Sequence, residues 1–388
     1  MMNAGGTVYK WYTGYPGVEY INYKRMRLLN NFMKRFGVVF FLIFLLSCVR
    51  HTAPATITVN TKENNTDLFK TLKIYKILRL TGTDVIGNIQ KAIYAGNNLY
   101  LFDKPGNKIF CYTDGGDFLF TLDRRGKGPQ EYVRIQNFFM DEKGGEIVIL
   151  TGEDECVIYS GTTGEFLRRE KAGAEGGMVL DGCRNSGLQM LHIMGPEFNL
   201  LLSDSDSAEL HLPYNMTRDM AFSYKAFGQN KKEVIFAHGY DNNIYNIPGI
   251  DEVNIKYSVD FLEKNIPVSV FEDVSGVKFS DLFETKEVAT KPDYLLEDEK
   301  YLFFSYWLFT PGEEEVKTNY VFYRKGDARS FNIKGNAGLL PIMDKKGNQY
   351  ISVINAADVV NHNSLYGDNE VVAGIEENDN PVVIFWGI

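Results

Sequence analysis

Between Gln90 and Leu122 the apolar residues fall into four short runs separated by polar, glycine-rich breaks. Ala92-Ile93-Tyr94 is followed by Gly96-Asn97-Asn98, and Leu99 to Phe102 follows that break. Lys104-Pro105-Gly106-Asn107 leads into Lys108 to Tyr112, and Asp114-Gly115-Gly116 into Phe118 to Leu122. Glycine and asparagine supply the positive φ of tight hairpins, while β-branched and aromatic residues fill pleated strands. The pattern therefore predicts a four-stranded antiparallel meander.

The same pattern then recurs. Phe138–Asp141, Glu146–Leu150, Cys156–Tyr159 and Glu165–Arg168 match the four runs in order, and Gly116-Asp117-Phe118 returns as Gly164-Glu165-Phe166, 48 residues on. Gly96 and Gly144 share that offset. Met140-Asp141-Glu142-Lys143-Gly144 is echoed 203 residues later by Met343-Asp344-Lys345-Lys346-Gly347. Four units in that interval average about 51 residues, close to propeller repeat lengths. Between these repeats, Leu188–Ile193, Asn199–Leu202, Val234–His238, Asn243–Ile247, Tyr301–Trp307 and Tyr320–Tyr323 also read as strands. One short helix is predicted over Ala356–Asn361. The expectation is an all-β fold: a six-bladed β-propeller of four-stranded antiparallel blades, with five or seven blades also allowed by the spacing. Each sheet buries both faces against its neighbours, and radial closure leaves only short edges. Closure requires the two ends of the chain to meet, so Leu72–Leu80 and Val382–Trp386 are predicted to share the terminal blade.

A second pattern precedes these repeats. Met33-Lys34-Arg35 opens onto an apolar run from Phe36 to Val49 that contains Leu45-Leu46-Ser47-Cys48. Fourteen residues suit a signal-peptide core better than a transmembrane span, which is the bland alternative. The segment resembles the bacterial lipobox, which implies cleavage before Cys48 and lipidation of that residue. Residues 1–25 do not fit a signal peptide, which begins with its basic region, so Met26 or Met33 is the expected start. The predicted organisation is an over-extended start and signal peptide over 1–47, a flexible tether over 48–66 and the propeller over 67–388.

Loss of residues 1–47 leaves 341 residues with 35 basic and 49 acidic side chains, a net charge of −14. Such a surface repels phosphate backbones and anionic headgroups, which argues against a nucleic-acid partner and leaves lipid on Cys48 as the membrane link. Cys111, Cys156 and Cys183 remain, an odd number without metal-ligand spacing, and Cys111 and Cys156 read as small core hydrophobes. No cofactor is expected.

The chain resembles the six-bladed β-propeller lipoproteins of Bacteroides and relatives, a family catalogued as domains of unknown function and related to NHL-type propellers. Gly126-Lys127-Gly128-Pro129-Gln130-Glu131-Tyr132 matches that family's glycine-glycine-proline-x-glutamate-tyrosine crossing loop, with Gln130 where glycine is usual. Asn380-Pro381-Val382-Val383 resembles its ending. The resemblance spans roughly Asp67 to Trp386. It implies an outer-membrane lipoprotein. Val49-Arg50-His51-Thr52 lacks the acidic tract that the resemblance associates with surface export, so a periplasm-facing position is expected.

The crossing loop supplies the candidate ligand-binding residues Arg125, Lys127, Glu131 and Tyr132. A loop that glycines and Pro129 fold for its own sake is the plainer account. Asp204-Ser205-Asp206-Ser207 fails the EF-hand pattern at its later positions and reads as a hairpin tip. His192, His211, His238 and His362 form no metal-binding motif. The aromatic run Tyr301–Trp307 reads as a strand buried on both faces, with a sugar platform as the sharper alternative. No catalytic residue is identified. Two functions stand: a binding or scaffold module for a protein, peptide or glycan, and a propeller hydrolase or lyase acting on glycans through funnel carboxylates or histidines.

Overall fold

Near-continuous apolar runs in the middle strands, and polar ones at the outside, set the architecture. In Asn98–Asp103 the residues Leu99 through Phe102 are all buried, because this strand packs against a neighbouring sheet on both faces. In Phe166–Lys171, an outermost strand, no residue is buried. The structure, a computed structural model, describes residues 53–82, 85–141, 145–195, 197–220, 223, 225–229, 233–273, 275–335, 338–367 and 369–388. Cys48 and the apolar run before it lie outside them. Among the described residues, no helix is long and apolar enough to cross a membrane.

Six sheets form six blades. Blade 1 comprises Ile89–Ala95, Asn98–Asp103, Lys108–Thr113 and Phe118–Leu122. Blade 2 comprises Asn137–Asp141, Glu146–Leu150, Glu155–Ser160 and Phe166–Lys171. Blade 3 runs through Met178–Asn185, Leu188–Met194, Phe198–Ser203 and Ala208–Pro213. Blade 4 has Phe227–Gln229, Val234–Phe236, Asn243–Gly249 and Glu252–Asp260. Blade 5 has Val288–Glu297, Tyr301–Phe309, Lys317–Arg324 and Arg329–Lys334. The first strand of each blade is innermost, and these strands pack side by side around the axis. The first hairpin turns as its sequence demands: Gly96 and Asn97 have φ of 57° and 65°, the pair of positive values a two-residue turn requires.

Blade 6 joins both ends of the chain. Ile342–Lys346, Gln349–Ile354 and Val382–Gly387 are completed by Lys73–Arg79, which pairs antiparallel with the last strand. This is the closure expected from the sequence. Trp386 is fully buried there, with its indole N–H donating to Ser352 Oγ at 2.9 Å.

Part of the stretch read as a tether has regular structure. Ala55–Thr58 is a strand, parallel to Glu252–Asp260, and makes blade 4 five-stranded. Alternation explains it: Ile57 and Val59 are fully buried between blades 4 and 5, while Thr56 and Thr58 face out. The chain then crosses the outer edge of blade 5, where Asn65 N donates to Asn332 O at 2.7 Å and Asn332 Nδ2 to Glu63 O at 2.8 Å. Phe69 packs edge-on to Phe322 and Trp386 before the chain enters blade 6.

The helix at Ala356–Asn361 is present as predicted. Glu370–Ala373 is a further short helix, and Val268–Phe271 and Val277–Thr285 lie between blades 4 and 5, where Phe279 and Phe283 pack at a tilt against Tyr240. Cys111 and Cys156 are buried free thiols, and burial pushes both up to about 12.

Candidate functional site

The crossing loop is folded by its own side chains. Gly126 N donates to Tyr132 O at 3.0 Å, and Tyr132 N to Arg124 O at 3.0 Å. Glu131 turns inward, where its carboxylate accepts from Gly128 N at 2.8 Å. A Cβ on Gly126 would lie 1.8 Å from that carboxylate, which is why glycine stands there. Tyr132 is buried; its hydroxyl donates to Leu122 O at 3.0 Å and accepts from Arg124 N at 3.2 Å. Arg125 is exposed and pairs with Asp123 at 3.1 Å, and Lys127 is exposed. The structure thus brings Arg125, Lys127, Glu131 and Tyr132 into one loop, with two facing outward and two turned into its frame. From blade 2, Arg169 donates to Pro129 O at 2.9 Å and to Glu131 O, and the Tyr159 hydroxyl donates to Gln130 O at 2.8 Å. Nothing local in the sequence ties Arg169 or Tyr159 to this loop, since both arrive from the following blade.

The second constellation is the axis. Each blade contributes one polar side chain from its inner strand or from just before it: Lys91, Asn137, Asp181, Lys225, Asp293 and Asp344. Five of the six are buried. In blades 1, 3, 5 and 6 the residue follows a register shift, which re-aims its side chain. Lys91 Nζ lies 2.8 Å from Asp181 Oδ1 and 3.1 Å from Asn137 Oδ1, tying blade 1 to blades 2 and 3. Lys225 Nζ lies 2.8 Å from Asp344 Oδ1 and 2.5 Å from Met343 O, tying blade 4 to blade 6. Lys291 pairs with Asp293 at 3.0 Å within blade 5, and Ser223 donates to the same carboxylate.

The other carboxylate oxygens bind backbone. Asp181 Oδ2 accepts from Ala226 N at 2.8 Å and Asp344 Oδ2 from Tyr94 N at 2.7 Å. Three lysines thus meet three aspartates, leaving the axis near neutrality. Burial raises the Asp181 carboxyl against the pull of Lys91, and burial lowers the Lys225 ammonium against the pull of Asp344. Above this layer all six blades line a cavity of about 150 Å³, with Phe139, Phe227 and Leu296 among its walls and Lys91, Asp181, Lys225 and Asp344 at its base. It reaches the ends of the inner strands, at Ala95, Gln229 and Lys345. The crossing loop stands before the start of an inner strand, and its residues do not line this cavity. The axial ring was legible in principle: its first four members recur at intervals of 46, 44 and 44 residues.

Two of the four scattered histidines also come together. His192 and His238 have ring centroids 6.3 Å apart between blades 3 and 4. His238 Nδ1 lies 3.2 Å from Asp219 Oδ1, and its Nε2 lies 3.7 Å from Asp241 Oδ2. Asp219 also accepts from Arg218 Nε and Asn199 Nδ2, each at 2.8 Å. Burial works to raise the Asp219 carboxyl, but His238 and Arg218 outweigh it and hold that group well below the usual carboxylate range. Burial pushes the His192 imidazole down to about 3, so it is neutral. His211 and His362 instead contact backbone oxygens of Ile250 and Asp358. Among the described residues, no group of three or more His, Cys, Asp or Glu could hold a metal ion.

Two remaining motifs have structural roles. Asp204 Oδ1 accepts from the backbone N–H groups of Asp206 and Ser207, capping a hairpin tip. In Tyr301–Trp307 the residues Leu302 to Tyr306 are buried, and Lys291 Nζ sits 3.7 Å from the centre of the Trp307 ring.

Six four-stranded sheets around a self-paired polar axis, with one further edge strand on blade 4, define a six-bladed β-propeller. The chain belongs to the family described as Domain of unknown function (DUF4934), which matches residues 60–386. No curated protein matches it. Among solved structures it is similar to a Bacteroides fragilis protein named for its presumed export, at 17% identity and a TM-score of 0.67, over 87% of this chain and 99% of that one. It is also similar to a member of the DUF4221 family from Bacteroides vulgatus, at 9% identity and a TM-score of 0.50, over 81% of this chain and 97% of that one. At these identities the likeness is one of fold.

Proposed function

We propose that this chain is a cell-envelope lipoprotein, held to the periplasmic face of the outer membrane through lipid on Cys48, whose propeller is a binding or scaffold module for a protein, peptide or glycan. The lipobox-like sequence and the name of the Bacteroides fragilis neighbour support the address. The observation that carries the binding reading is the self-pairing of the axis. A glycosidase needs one carboxyl group poised to donate a proton and a second facing it across the substrate. Asp181, Asp293 and Asp344 are each held by a lysine, and Asp181 and Asp344 also accept from backbone N–H groups of neighbouring blades. Carboxylates so committed tie the disc together.

The test has two arms. Cells expressing the full chain are fed an alkynyl fatty acid, and label is expected on the wild type and absent from Cys48→Ala, with the labelled protein in the outer-membrane fraction. Equal labelling of both overturns the lipid anchor. The purified full chain is then incubated with envelope glycans and peptides. Binding without turnover is the expected result, and release of cleaved product overturns the module reading.

A further inference from the structure

The axial cavity offers hydrogen-bond donors more than acceptors. Among the described residues, Lys91 Nζ has two oxygen partners, Asp181 Oδ1 and Asn137 Oδ1, and Lys225 Nζ has two, Asp344 Oδ1 and Met343 O. An ammonium carries three N–H donors, so each lysine has one beyond those partners. The aspartates between them differ. Both oxygens of Asp181 and both of Asp344 already accept a hydrogen bond from a lysine or a backbone N–H. Lys91 and Lys225 are nine-tenths or more buried, and both line the cavity. The two ammonium groups feel each other, since Lys91 is one of the charges disfavouring the protonated form of Lys225. An anion placed between them takes both remaining donors. In a low-dielectric well such charge-assisted bonds are stronger than in water.

The rest of the cavity defines the ligand's body. Phe139, Met140, Phe227 and Leu296 are apolar walls, which suit hydrocarbon, while Gln229 and Lys345 add polar groups to the lining. A space of about 150 Å³ matches cavities that take a benzene-sized molecule, so the body has roughly six to ten heavy atoms. We propose that the axial well binds a small carboxylate, its carboxyl group bridging Lys91 and Lys225 and its compact apolar body filling the space between Phe139 and Phe227.

This inference deepens the binding-module reading and rests on it. The carboxylate has two sources, a free organic acid or the C-terminus of a peptide, and the probes separate them. The full chain is titrated by calorimetry and ligand-observed NMR with benzoate, 3-methylbutanoate and a tripeptide ending in phenylalanine, each against its neutral amide. The acids are expected to bind about tenfold to a hundredfold more tightly than the amides, the difference made by charge-assisted hydrogen bonds. Tighter binding of the tripeptide assigns a chain terminus; tighter binding of benzoate assigns a free acid. Lys225→Met is expected to abolish the preference for the acid. Because that variant strands Asp344, Ala95→Trp serves as a second one: it enlarges a residue that lines the cavity, leaves every lysine pair intact and is expected to lower affinity by at least about tenfold. Equal binding of acids and amides, no binding of any acid at millimolar concentration, or wild-type affinity in Ala95→Trp overturns the proposal. Fatty-acid labelling and glycan binding of the same preparation report on the module separately, so a failed well is distinguishable from a failed module.

Discussion

Blades 1 and 2 and blades 4 and 5 share a plan and an apolar seam but differ in how regular their strands are. The seam between blades 1 and 2 is apolar: Tyr100, Phe102, Ile109, Phe138, Ile149 and Val157 interlock there, and Phe102 meets Phe138 edge-on at 6.1 Å. In blades 4 and 5 the strands are interrupted. Blade 4 begins with two strands of three residues each. The inner strand of blade 5 shifts register twice, with Lys291 and Tyr294 at φ of 66° and 54°, a region that residues other than glycine seldom adopt. Buried here are Ser223, Thr290, Lys291 and Asp293, which need named partners. Apolar packing tolerates repetition, because any well-filled seam will serve. A buried polar group is stable only where its complement arrives from another element.

The contrast breaks most sharply under truncation. Phe138→Ala is expected to cost about 3–5 kcal/mol in urea unfolding, as a large buried ring lost from a seam that cannot refill. Lys91→Met is expected to cost a comparable 3–5 kcal/mol or so by stranding Asp181, yet Lys91→Met with Asp181→Leu should recover most of it. A double variant as unstable as the single one would show that the axial pairs contribute net stability themselves. Either result separates apolar from polar burial within blades 1 to 3, since no second substitution is expected to rescue Phe138→Ala.

A smaller effect comes with pH. Unfolded His192 takes a proton near the ordinary value of 6.5, whereas the folded protein holds it neutral down to about 3. The unfolded state then binds more protons across that window, so stability falls as pH drops below 6.5, by about 1.4 kcal/mol per unit. Between pH 6.5 and 5 the loss from this group is about 2 kcal/mol. The depressed Asp219 carboxyl acts in the same direction once pH falls into the range where unfolded aspartate titrates, and on below it. Urea midpoints across this range should show a shallower slope in His192→Phe, and an unchanged slope would remove the histidine from the account. The mildest effect is expected at the crossing loop: Glu131→Ala loses the bond to Gly128 N at 2.8 Å and should cost about 1–2 kcal/mol. A larger loss would make this loop, like the axis, a point where blades are tied.

What the sequence disclosed follows the same division. The eight strands of blades 1 and 2 were legible within two or three residues because glycine-asparagine turns punctuate alternating and continuous apolar runs. Closure through Lys73–Arg79 and Val382–Gly387 was legible too, since a propeller must join its ends. The inner strand of blade 3, Met178–Asn185, was missed because Asp181, Gly182 and Arg184 break its apolar run. Val288–Glu297 was missed for the same reason, with Lys291, Pro292 and Asp293 at its centre. Those interruptions are the polar ring itself. The features that hid two inner strands from a pattern search are the ones that make the axis a site. The pairing of His192 with His238 was hidden differently, because 46 residues and a blade boundary separate them.

The strand at Ala55–Thr58 has a mechanical consequence. It lies parallel to the outer strand of blade 4 through four paired positions, and the chain then runs across blade 5 to its place in blade 6. A pull on the N-terminal end, along the strand's own length, loads those positions together in shear. Only after this clasp and the contacts across blade 5 slip does tension reach Lys73–Arg79 and the joint that closes the disc. Were the chain held at its N-terminal end, this clasp would bear load ahead of the disc's own seam.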